Sequence, residues 1–421
     1  MDLSTTDLSD IDLLDRDRYV EGVPHEWFTR LRQHAPIYRH PEPNGPGFWV
    51  FSKYDDVAAI GRDAATFSSS AERGGVIMLE EPEEPVDMSL GANLMLMMDP
   101  PEHTRYRKLV NRGFTPRMVT ALEPHIRELT TRILDEAMAK GDIDFVVDIA
   151  AELPLQVIAE MMGVPIEDRH EIFDWSNKLV GSEDPEYSVT DEDTLNAQVG
   201  MFMYAQSLAE KKRSALQEDI LSKLLTADID GDALSEMDFN VFFLLLAVAG
   251  NETTRNALSH GMNAFLENPD QFQRLREHPE LIDTTVEETV RWASPVMYFR
   301  RNVTRDLEYK GHQLREGDKV GVWYASANRD EDVFDDPFTF DIGRDPNPQI
   351  GFGGGGPHHC LGANLARLEI KVFWQEMARR FERLELTGDV ARLRSMFIGG
   401  IKHLPVTLHP AAVTATAGEA S

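Results

Sequence analysis

The 421-residue chain has a single cysteine, no long hydrophobic run and far fewer basic than acidic residues. One cysteine excludes an internal disulfide and fits a reducing compartment. The longest apolar run, residues 241–249, is too short to span a bilayer. A formal net charge of −30 argues against binding to nucleic acid or to an anionic membrane. The first 20 residues are acidic and do not resemble a signal peptide, so we expect a cytoplasmic protein without membrane insertion.

The only cysteine, Cys360, ends a glycine-rich segment, residues 351–359, and a helical pattern follows it. Leu361, Leu365 and Leu368 recur at helical spacing, which predicts the sulfur at a helix N-terminus. Free N–H groups and the helix dipole favour a thiolate at that place. The glycines let the backbone approach a flat partner closely. A lone thiolate in such a setting suits the axial position of haem iron.

The residues of this loop also leave other interpretations open. A single cysteine is more often a small buried hydrophobic side chain than a ligand. The glycine run could bind phosphate, although it lacks the Gly-Lys-Ser/Thr ending and the preceding strand of a phosphate loop. His358, His359 and Cys360 could bind zinc, but three adjacent residues cannot easily converge on one tetrahedral ion.

The remainder of the chain is mostly helical in pattern, with strand-like segments at 47–51, 302–309 and 319–324. We expect a mainly α protein with a smaller β region, and a single domain over residues 1–421. Within it, residues 1–24 form an acidic N-terminal segment and residues 410–421 are expected to be a disordered tail. Two acidic stretches, residues 80–85 and 182–193, are predicted to be solvated loops, the second placed to act as a lid.

A long helix is predicted to begin at a capping box, Ser235 and Asp238, and to end near Asn268. Its middle, residues 249–254, combines glycine with side chains that compete for backbone hydrogen bonds, which favours a kink. Glu252 and Thr253 place an acid beside a hydroxyl there. The hydroxyl can hold an oxygen species and a water while the acid relays protons. The alternative is a threonine bonded to its own helix and a solvated glutamate.

Residues 99–102, Asp-Pro-Pro-Glu, predict a helix start. His103 and Arg107 then share one face, which could hold carboxylates of a cofactor. The opposite face could meet an acidic partner through three basic residues, Arg105, Lys108 and Arg112. Further along, Glu288 and Arg291 are an i,i+3 pair in a helix whose neighbours suggest burial, so a third charged partner is expected.

Together these motifs resemble a bacterial cytochrome P-450, a haem-thiolate monooxygenase. The resemblance runs from about Phe28 to about Leu408 and keeps the order of the family's motifs. Residues 249–253 resemble the oxygen-activating segment, and Glu288-x-x-Arg291 matches the family's Glu-x-x-Arg. The segment 340–344 resembles the one that donates the third charge, Arg344, and the Cys360 loop matches the haem-binding signature. The resemblance implies the cytochrome P-450 fold, with haem between the central helix and the cysteine loop.

The resemblance also implies roles for individual residues. Cys360 would be the proximal ligand of haem b, and Glu252 and Thr253 would be catalytic. Glu288, Arg291 and Arg344 would have a structural role. The haem propionates would be held by four side chains, His103, Arg107, Arg301 and His358, with Arg300 as the alternative to Arg301.

The family usually has an aromatic residue seven positions before the cysteine, where this chain has Gly353, with Phe352 one residue earlier. The lengthened loop, together with segments 112–116 and 400–405, resembles a subgroup that acts on steroid side chains and methyl-branched lipids. It implies an apolar steroid, terpenoid or branched lipid as substrate. Residues 94–98 could line the mouth of the pocket. Candidate pocket walls, each of which could equally be core packing, are Leu245, Val248, Ala249, Val296, Met297 and Phe397.

A monooxygenase of this kind needs two electrons delivered separately, which implies a ferredoxin. We expect it to dock on Arg105, Lys108, Arg112 and Arg367. We also expect a monomer. Two other functions stay open: a peroxide-driven haem-thiolate peroxygenase, which would not need the Glu252–Thr253 pair, and a non-catalytic haem-binding sensor.

Overall fold

The computed structural model describes residues 7–83, 91–111, 114–188, 190–217, 219–226, 228–229 and 232–412. It is 54% helical and 12% strand, as the sequence predicts. The α-helices are α1 Arg16–Val20, α2 His25–His34, α3 Tyr54–Arg62, α4 Glu102–Asn111, α5 Pro116–Ala121, α6 Glu123–Lys140, α7 Glu152–Met162, α8 Arg169–Val180, α9 Asp191–Ser214, α10 Ile220–Leu225, α11 Glu236–Glu267, α12 Pro269–Glu277, α13 Ile282–Ala293, α14 Tyr324–Ala327 and α15 Ala363–Arg380.

The strands are short and lie mainly in the first and last thirds of the chain. They are β1 Ile37–His40, β2 Phe48–Phe51, β3 Phe67–Ser68, β4 Ile143–Asp144, β5 Asp228–Ile229, β6 Asp232–Ala233, β7 Tyr298–Val303, β8 Leu307–Tyr309, β9 His312–Leu314, β10 Lys319–Trp323, β11 Phe381–Leu386, β12 Ala391–Arg392, β13 Ile401–His403 and β14 Pro405–Pro410. Single-turn 3₁₀ helices lie at Leu8–Asp10, Ala71–Arg73, Gly91–Asn93, Met95–Met97, Ile166–Asp168 and Pro279–Leu281, and a π-helical turn at Val146–Ala150.

Helix α11 is the axis of the helical part, because it packs against α7, α8, α9, α13 and α15. Its buried side chains, among them Phe242, Phe243 and Phe265, belong to the largest hydrophobic cluster of the protein. The predicted capping box starts it: the Ser235 side chain accepts from the N–H of Asp238, and the Asp238 carboxylate accepts from the N–H of Ser235.

The five-stranded sheet has the order β1-β2-β10-β7-β3, in which only β2 and β10 run parallel. Arg301 of β7 lies opposite Val320 of β10, so this sheet fixes the position of one predicted cofactor ligand. A second sheet has the order β11-β14-β4, and the remaining strands form two-stranded pairs.

The predicted strand 302–309 is wrong in its bounds, because the structure divides that region into β7 and β8. The N–H of Thr304 donates to Thr66, outside the partner strand of β7, and the chain then turns into the β8–β9 hairpin. The segments predicted at 47–51 and 319–324 are confirmed as β2 and β10, with a turn at Gly317, whose φ is +86°.

The central helix is assigned as α-helix without a break from Glu236 to Glu267, so the predicted kink does not interrupt it. Polar side chains that compete for backbone groups bond within the helix instead of breaking it. The Thr253 hydroxyl donates to the carbonyl of Ala249, and the Asn256 amide donates to the carbonyl of Glu252.

The acidic stretches are not simply solvated. Asp184 is 1% exposed, and its carboxylate accepts from the Arg394 N–H and from Lys402. Helix α9 begins at Asp191, inside the predicted loop, because Thr190 caps it. Glu80 and Glu81 form ion pairs with Arg16 and Lys319, and residues 84–85 lie outside the described residues.

The described residues nearest to both ends belong to the fold. Ile11 and Leu13 are buried against Phe28 and Trp323, so the described part of the acidic N-terminal segment, residues 7–24, is part of the folded protein. Strand β14 continues to Pro410, one residue into the predicted tail, and residues 413–421 lie outside the described residues. Within the part of the chain that the structure describes, no helix is long and apolar enough to cross a membrane.

Candidate active site

The cysteine loop lies against helix α3, and its glycines make that approach possible. A Cβ on Gly356, whose φ is +79°, would lie 2.3 Å from the carbonyl oxygen of Gly61. A Cβ on Gly354 would lie 2.7 Å from the Cα of Ala58. The Cys360 N–H donates to the carbonyl of Phe352 at 2.9 Å, which closes the loop just before α15. The structure therefore holds the thiol at the start of a helix, as predicted.

The sulfur of Cys360 faces a cavity. Protein surrounds the residue, yet its own surface is exposed, so that surface opens inward rather than to bulk water. Burial raises the pKa of the Cys360 thiol, while the N–H groups of Gly362 and Ala363 and the Arg107 guanidinium lower it. In the protein alone burial outweighs the helix N-terminus, so the predicted preference for a thiolate needs a further positive charge at the sulfur.

The cavity has a volume of about 240 Å³ and is mostly apolar. Helix α11 forms one wall and the cysteine loop the opposite wall. Predicted site residues that the structure brings to it are His103, Arg107, Leu245, Ala249, Thr253, Val296, His358 and Cys360. In the described ranges, no three His, Cys, Asp or Glu side chains converge as a metal site, which removes the zinc interpretation.

Helix α4 presents His103 and Arg107 to this cavity. The His103 ring lies 4.2 Å from that of His358, centroid to centroid, and Arg107 donates to the carbonyls of Pro357 and His359. The predicted start of α4 is correct within a residue, but Asp99 does not cap it. Its carboxylate accepts from the Ser69 N–H at 2.8 Å and from the Ser68 hydroxyl.

The two imidazoles are desolvated and incompletely bonded. Nδ1 of His103 and Nε2 of His358 are buried and have no hydrogen-bond partner among the described residues. Burial and Arg107 lower the pKa of His103 to about 4. Burial, followed by Arg301, lowers the pKa of His358 to about 2. A buried unpaired polar atom is costly, so both rings are built for a partner that arrives with a ligand.

Strand β7 separates the two candidate arginines. Arg300 donates to the carbonyls of Met78 and Arg73, away from His358. Arg301 lies on the side of His358, is 4% exposed, and has no carboxylate at ion-pair distance among the described residues. The structure therefore favours Arg301 over Arg300 as a cofactor ligand.

These residues fit a haem. An unpaired buried guanidinium and two unsatisfied imidazoles need an anionic partner, and the two carboxylates of a haem are such a partner. The thiol of Cys360 in the same cavity would be the ligand for its iron. Phe352 also lines the cavity, and the Arg367 guanidinium lies 4.4 Å above its ring, so the aromatic residue is in place despite the additional glycine.

The side chains of Glu252 and Thr253 lie on different sides of helix α11. The Thr253 side chain lines the cavity, but its hydroxyl donates to the Ala249 carbonyl at 2.9 Å, the alternative left open by the sequence. Glu252 is 1% exposed, does not line the cavity, and forms an ion pair with Arg255. Arg255 in turn donates to Asn177 of α8 at 2.7 Å. Burial raises the pKa of Glu252, and Arg255 opposes this.

The predicted triad of structural charges is present. Two hydrogen bonds of 2.7 Å join the Arg291 guanidinium to both oxygens of Glu288, and Arg344 donates to Glu288 at 3.2 Å. Arg291 also donates to the carbonyls of Asn328, Pro337 and Thr339. The triad ties α13 to the segment 328–347, which leads into the cysteine loop.

The predicted substrate contacts divide among three cavities. Leu245, Ala249 and Val296 line the cavity of Cys360, which is called the inner cavity below. Val248 and Phe397 line an adjoining cavity of about 570 Å³, the outer cavity. The prediction for Met297 is not supported, because it faces Trp292 and Tyr19 in a third cavity. The chain is extended where Val296 pairs with Ile398, so consecutive side chains point in opposite directions.

Two residues near the site were missed. Arg255 could have been found, because it follows Glu252 at the i,i+3 spacing of a helical ion pair. Glu369 of α15 lines the inner cavity, fully buried, with an unpaired carboxyl oxygen. Its only sequence signal is a single acid on the apolar side of a helix.

The expected docking patch is smaller than predicted. Lys108 is exposed and Arg105 partly exposed. The guanidinium of Arg367 is bound by Glu287 at 2.6 Å, so it is not a free cation, and Arg112 lies outside the described residues.

Comparisons of sequence and of structure both match this chain to cytochrome P450 proteins. The sequence model of the cytochrome P450 family matches residues 21–395. A steroid C26-monooxygenase of Rhodococcus jostii is 44% identical over 94% of this chain and 84% of its own. A methyl-branched lipid omega-hydroxylase of Mycobacterium tuberculosis is 42% identical over 95% of both chains. A Mycobacterium marinum cytochrome P450 in complex with pseudoionone superimposes with a TM-score of 0.88 at 38% identity, over 96% of this chain and 100% of the other.

Proposed function

This chain belongs to the cytochrome P450 family, and we propose that it hydroxylates the branched apolar end of a steroid or a methyl-branched lipid. Members of the family are haem-thiolate monooxygenases that use O₂ and an apolar substrate, with haem b held by a cysteine thiolate. The observation that carries the proposal is the inner cavity, where Cys360 faces the apolar wall of α11.

The proposed haem site uses the residues around that cavity. When bound, the haem supplies the activation of O₂ and the insertion of one oxygen atom into a C–H bond. Cys360 would give its thiolate to the iron. Three side chains, His103, Arg301 and His358, would hold the carboxylates, and Arg107, which binds the cysteine loop, would add a fourth donor.

The proposed proton path starts at Glu252, on the side of α11 that does not line the inner cavity. The Thr253 hydroxyl must release the Ala249 carbonyl before it can donate into the cavity, which a rotation about one side-chain bond achieves. Arg255 binds Oε2 of Glu252, while Oε1 is buried without a partner among the described residues and can carry the proton. The ion pair at Oε2 must open before the carboxyl can turn toward the cavity. Because Arg255 is held by Asn177 of α8, the position of α8 controls how easily that ion pair opens.

The proposed substrate class follows from the pocket and from the relatives. Leu245, Ala249 and Val296 surround the position of attack with hydrocarbon, which suits an unactivated C–H bond. The relatives named for steroid and methyl-branched lipid oxidation cover nearly the whole chain. A branched terminal methyl group is common to both substrate classes.

The proposed partners and setting rest on charge and composition. We propose a ferredoxin as electron donor, docked at Arg105 and Lys108. We also propose that the protein is a cytoplasmic monomer, because its single cysteine serves as an iron ligand and is not used for cross-linking.

The proposal is tested by titrating the purified ferric holoprotein with a steroid that has a branched side chain, a methyl-branched fatty alcohol and a straight-chain alcohol of equal length. The branched compounds should shift the iron from low to high spin, and turnover with O₂, ferredoxin and its reductase should hydroxylate a terminal methyl group.

Three outcomes contradict the proposal. A preparation without porphyrin absorbance would end the haem assignment. Faster turnover with hydrogen peroxide than with ferredoxin would favour a peroxygenase, and bound haem with no turnover at all would favour a sensor.

A further inference from the structure

The outer cavity lies beside the inner one along α11. Val241, Leu244 and Val248 line the outer cavity, while Leu245 and Ala249, the next residues on the helix, line the inner one. A ligand that reaches Cys360 with one end and is longer than the inner cavity would place its other end in the outer cavity. This remote end meets the side chains at the mouth.

Three charged side chains form that mouth, Arg16, Glu80 and Glu183, and most of the other residues that line the cavity are apolar. Arg16 binds Glu80, binds Glu183 at 2.5 Å and donates to the Leu14 carbonyl at 3.2 Å. Although burial opposes it, the carboxylates of Glu183 and Glu80 raise the pKa of Arg16. Each of its nitrogens is already bonded, and the three groups together carry one net negative charge.

The neighbouring cations are bonded as well. Arg394 is bound by Asp17 and donates to the Glu183 carbonyl. Lys402 is shared by Asp184 and Glu186. Since these carboxylates match or outnumber the cations, the described residues at this end offer no unpaired positive charge to an acid.

A neutral polar group does remain at the mouth. Gln198 of α9 lines the outer cavity, is half-buried, and has no hydrogen-bond partner among the described residues. Its carboxamide can both donate and accept, so it can bind a ketone or a hydroxyl.

We propose that the outer cavity selects substrates whose remote end carries a neutral oxygen, a hydroxyl or a ketone, and disfavours those that end in a carboxylate. Glu80 and Glu183 repel an acid, and Gln198 binds the neutral group. The inference rests on the proposed function, because it assumes that the apolar end of the substrate lies at the haem.

The test uses one methyl-branched chain in two forms, the primary alcohol and the carboxylic acid, so that only the charge of the head group differs. Isothermal titration calorimetry with the holoprotein at pH 7.5 measures both affinities, and the spin-state shift reports that the other end reaches the iron. The alcohol should bind about three- to tenfold more tightly than the acid, as expected for one partly exposed charge. The ratio of the two affinities should move closer to one at high salt.

Variants identify the residues responsible. Glu183→Gln should tighten binding of the acid severalfold and leave the alcohol unchanged, whereas Gln198→Leu should weaken the alcohol alone. Glu382→Gln is the matched control, because this exposed glutamate lies on β11, outside the walls of the cavity. It makes the same change in net charge and should leave the ratio of affinities as it is.

Equal or tighter binding of the acid to the unmodified protein would overturn the inference, and so would loss of acid binding in Arg16→Gln, since Arg16 would then be a carboxylate ligand. Either result leaves the proposed function intact as long as both ligands shift the spin state. Failure of both ligands to shift it would count against the proposed function itself.

Discussion

The Thr253 hydroxyl has two acceptors to choose from, the Ala249 carbonyl at 2.9 Å and whatever occupies the cavity. A back-bond of this kind adds little to helix stability. We therefore predict that Thr253→Ala changes the thermal midpoint only slightly but uncouples the reaction, so that reductant is consumed as hydrogen peroxide forms and little product appears. The measurement is product and peroxide formed per reductant consumed.

Thr131 of α6 is the matched control for that substitution. Its hydroxyl donates to the Arg127 carbonyl at the same 2.9 Å, in a helix that does not line the inner cavity. Thr131→Ala should resemble the unmodified enzyme in coupling. If Thr253→Ala also stayed tightly coupled, the hydroxyl would have no part in the reaction.

Glu369 is predicted to make stability depend on pH. Burial raises the pKa of its carboxyl from 4.5 to about 8, and no described residue bonds its second oxygen. Between these two values the folded protein keeps a proton that the unfolded chain has lost, so stability falls as pH rises. Glu369→Gln removes this pH-dependent contribution to the free energy of unfolding. From pH 6 to pH 8 the unmodified protein should lose about 2 kcal/mol relative to the variant.

The experiment is urea unfolding of both holoproteins at the two pH values. Glu382→Gln, the same substitution at an exposed position, should follow the unmodified protein at each pH. If the difference in free energy of unfolding between Glu369→Gln and the unmodified protein were the same at both pH values, Glu369 would be ionised in the folded protein or would have a hydrogen-bond partner there.

At the scale of elements, the contacts of Arg291 join α13 to the segment that precedes the cysteine loop. The guanidinium bonds both oxygens of Glu288 and three carbonyl oxygens, and it is completely buried. A lysine has three donors on one atom and cannot reproduce this set. Arg291→Lys should destabilise the protein by about 3 kcal/mol or more, and lower the fraction purified with haem.

Arg383 gives the comparison for an exposed pair. Its side chain is 57% exposed and binds Glu385 on the same strand, so Arg383→Lys should change stability by less than about 0.5 kcal/mol. Thermal unfolding and haem content of the two variants decide the matter. If Arg291→Lys and Arg383→Lys both lost only a little stability and haem, the triad would not be what holds the cysteine loop in place.

Helices and strands differ in how well the sequence alone predicts them. The capping box of α11 joins residues three apart in the sequence, and it was predicted. The division of β7 from β8 depends on Thr66, far away in the chain, to which the N–H of Thr304 donates. Local propensity cannot register such contacts.

The site follows the same rule. His103 and Arg107 could be assigned from one helix face, and Cys360 from its loop. The choice of Arg301 over Arg300 needed the sheet, because a shift of one residue along a strand turns a side chain to the opposite face. The pairing of Asp184 with Lys402 joins positions 218 residues apart, so the sequence offered only an acidic stretch.

At the scale of the whole molecule, charge determines the encounter with an electron donor. The protein carries −30 overall, so an acidic ferredoxin is repelled by most of its surface and can dock only where positive charge is concentrated. Helix α4 provides exposed Lys108 close to Arg107, which binds the cysteine loop. We predict that Lys108→Glu slows electron delivery severalfold at low salt, that adding Arg105→Glu slows it further, and that the salt dependence flattens.

Arg305→Glu separates a local from a global effect, because Arg305 is exposed on the segment between β7 and β8, far along the chain from α4. Either single reversal, from +1 to −1, takes the net charge from −30 to −32. Stopped-flow reduction by ferredoxin, measured over a range of salt concentrations, should therefore distinguish the two variants. Equal slowing in both would mean that overall repulsion sets the rate, whereas unchanged rates in Lys108→Glu would place the docking surface away from α4.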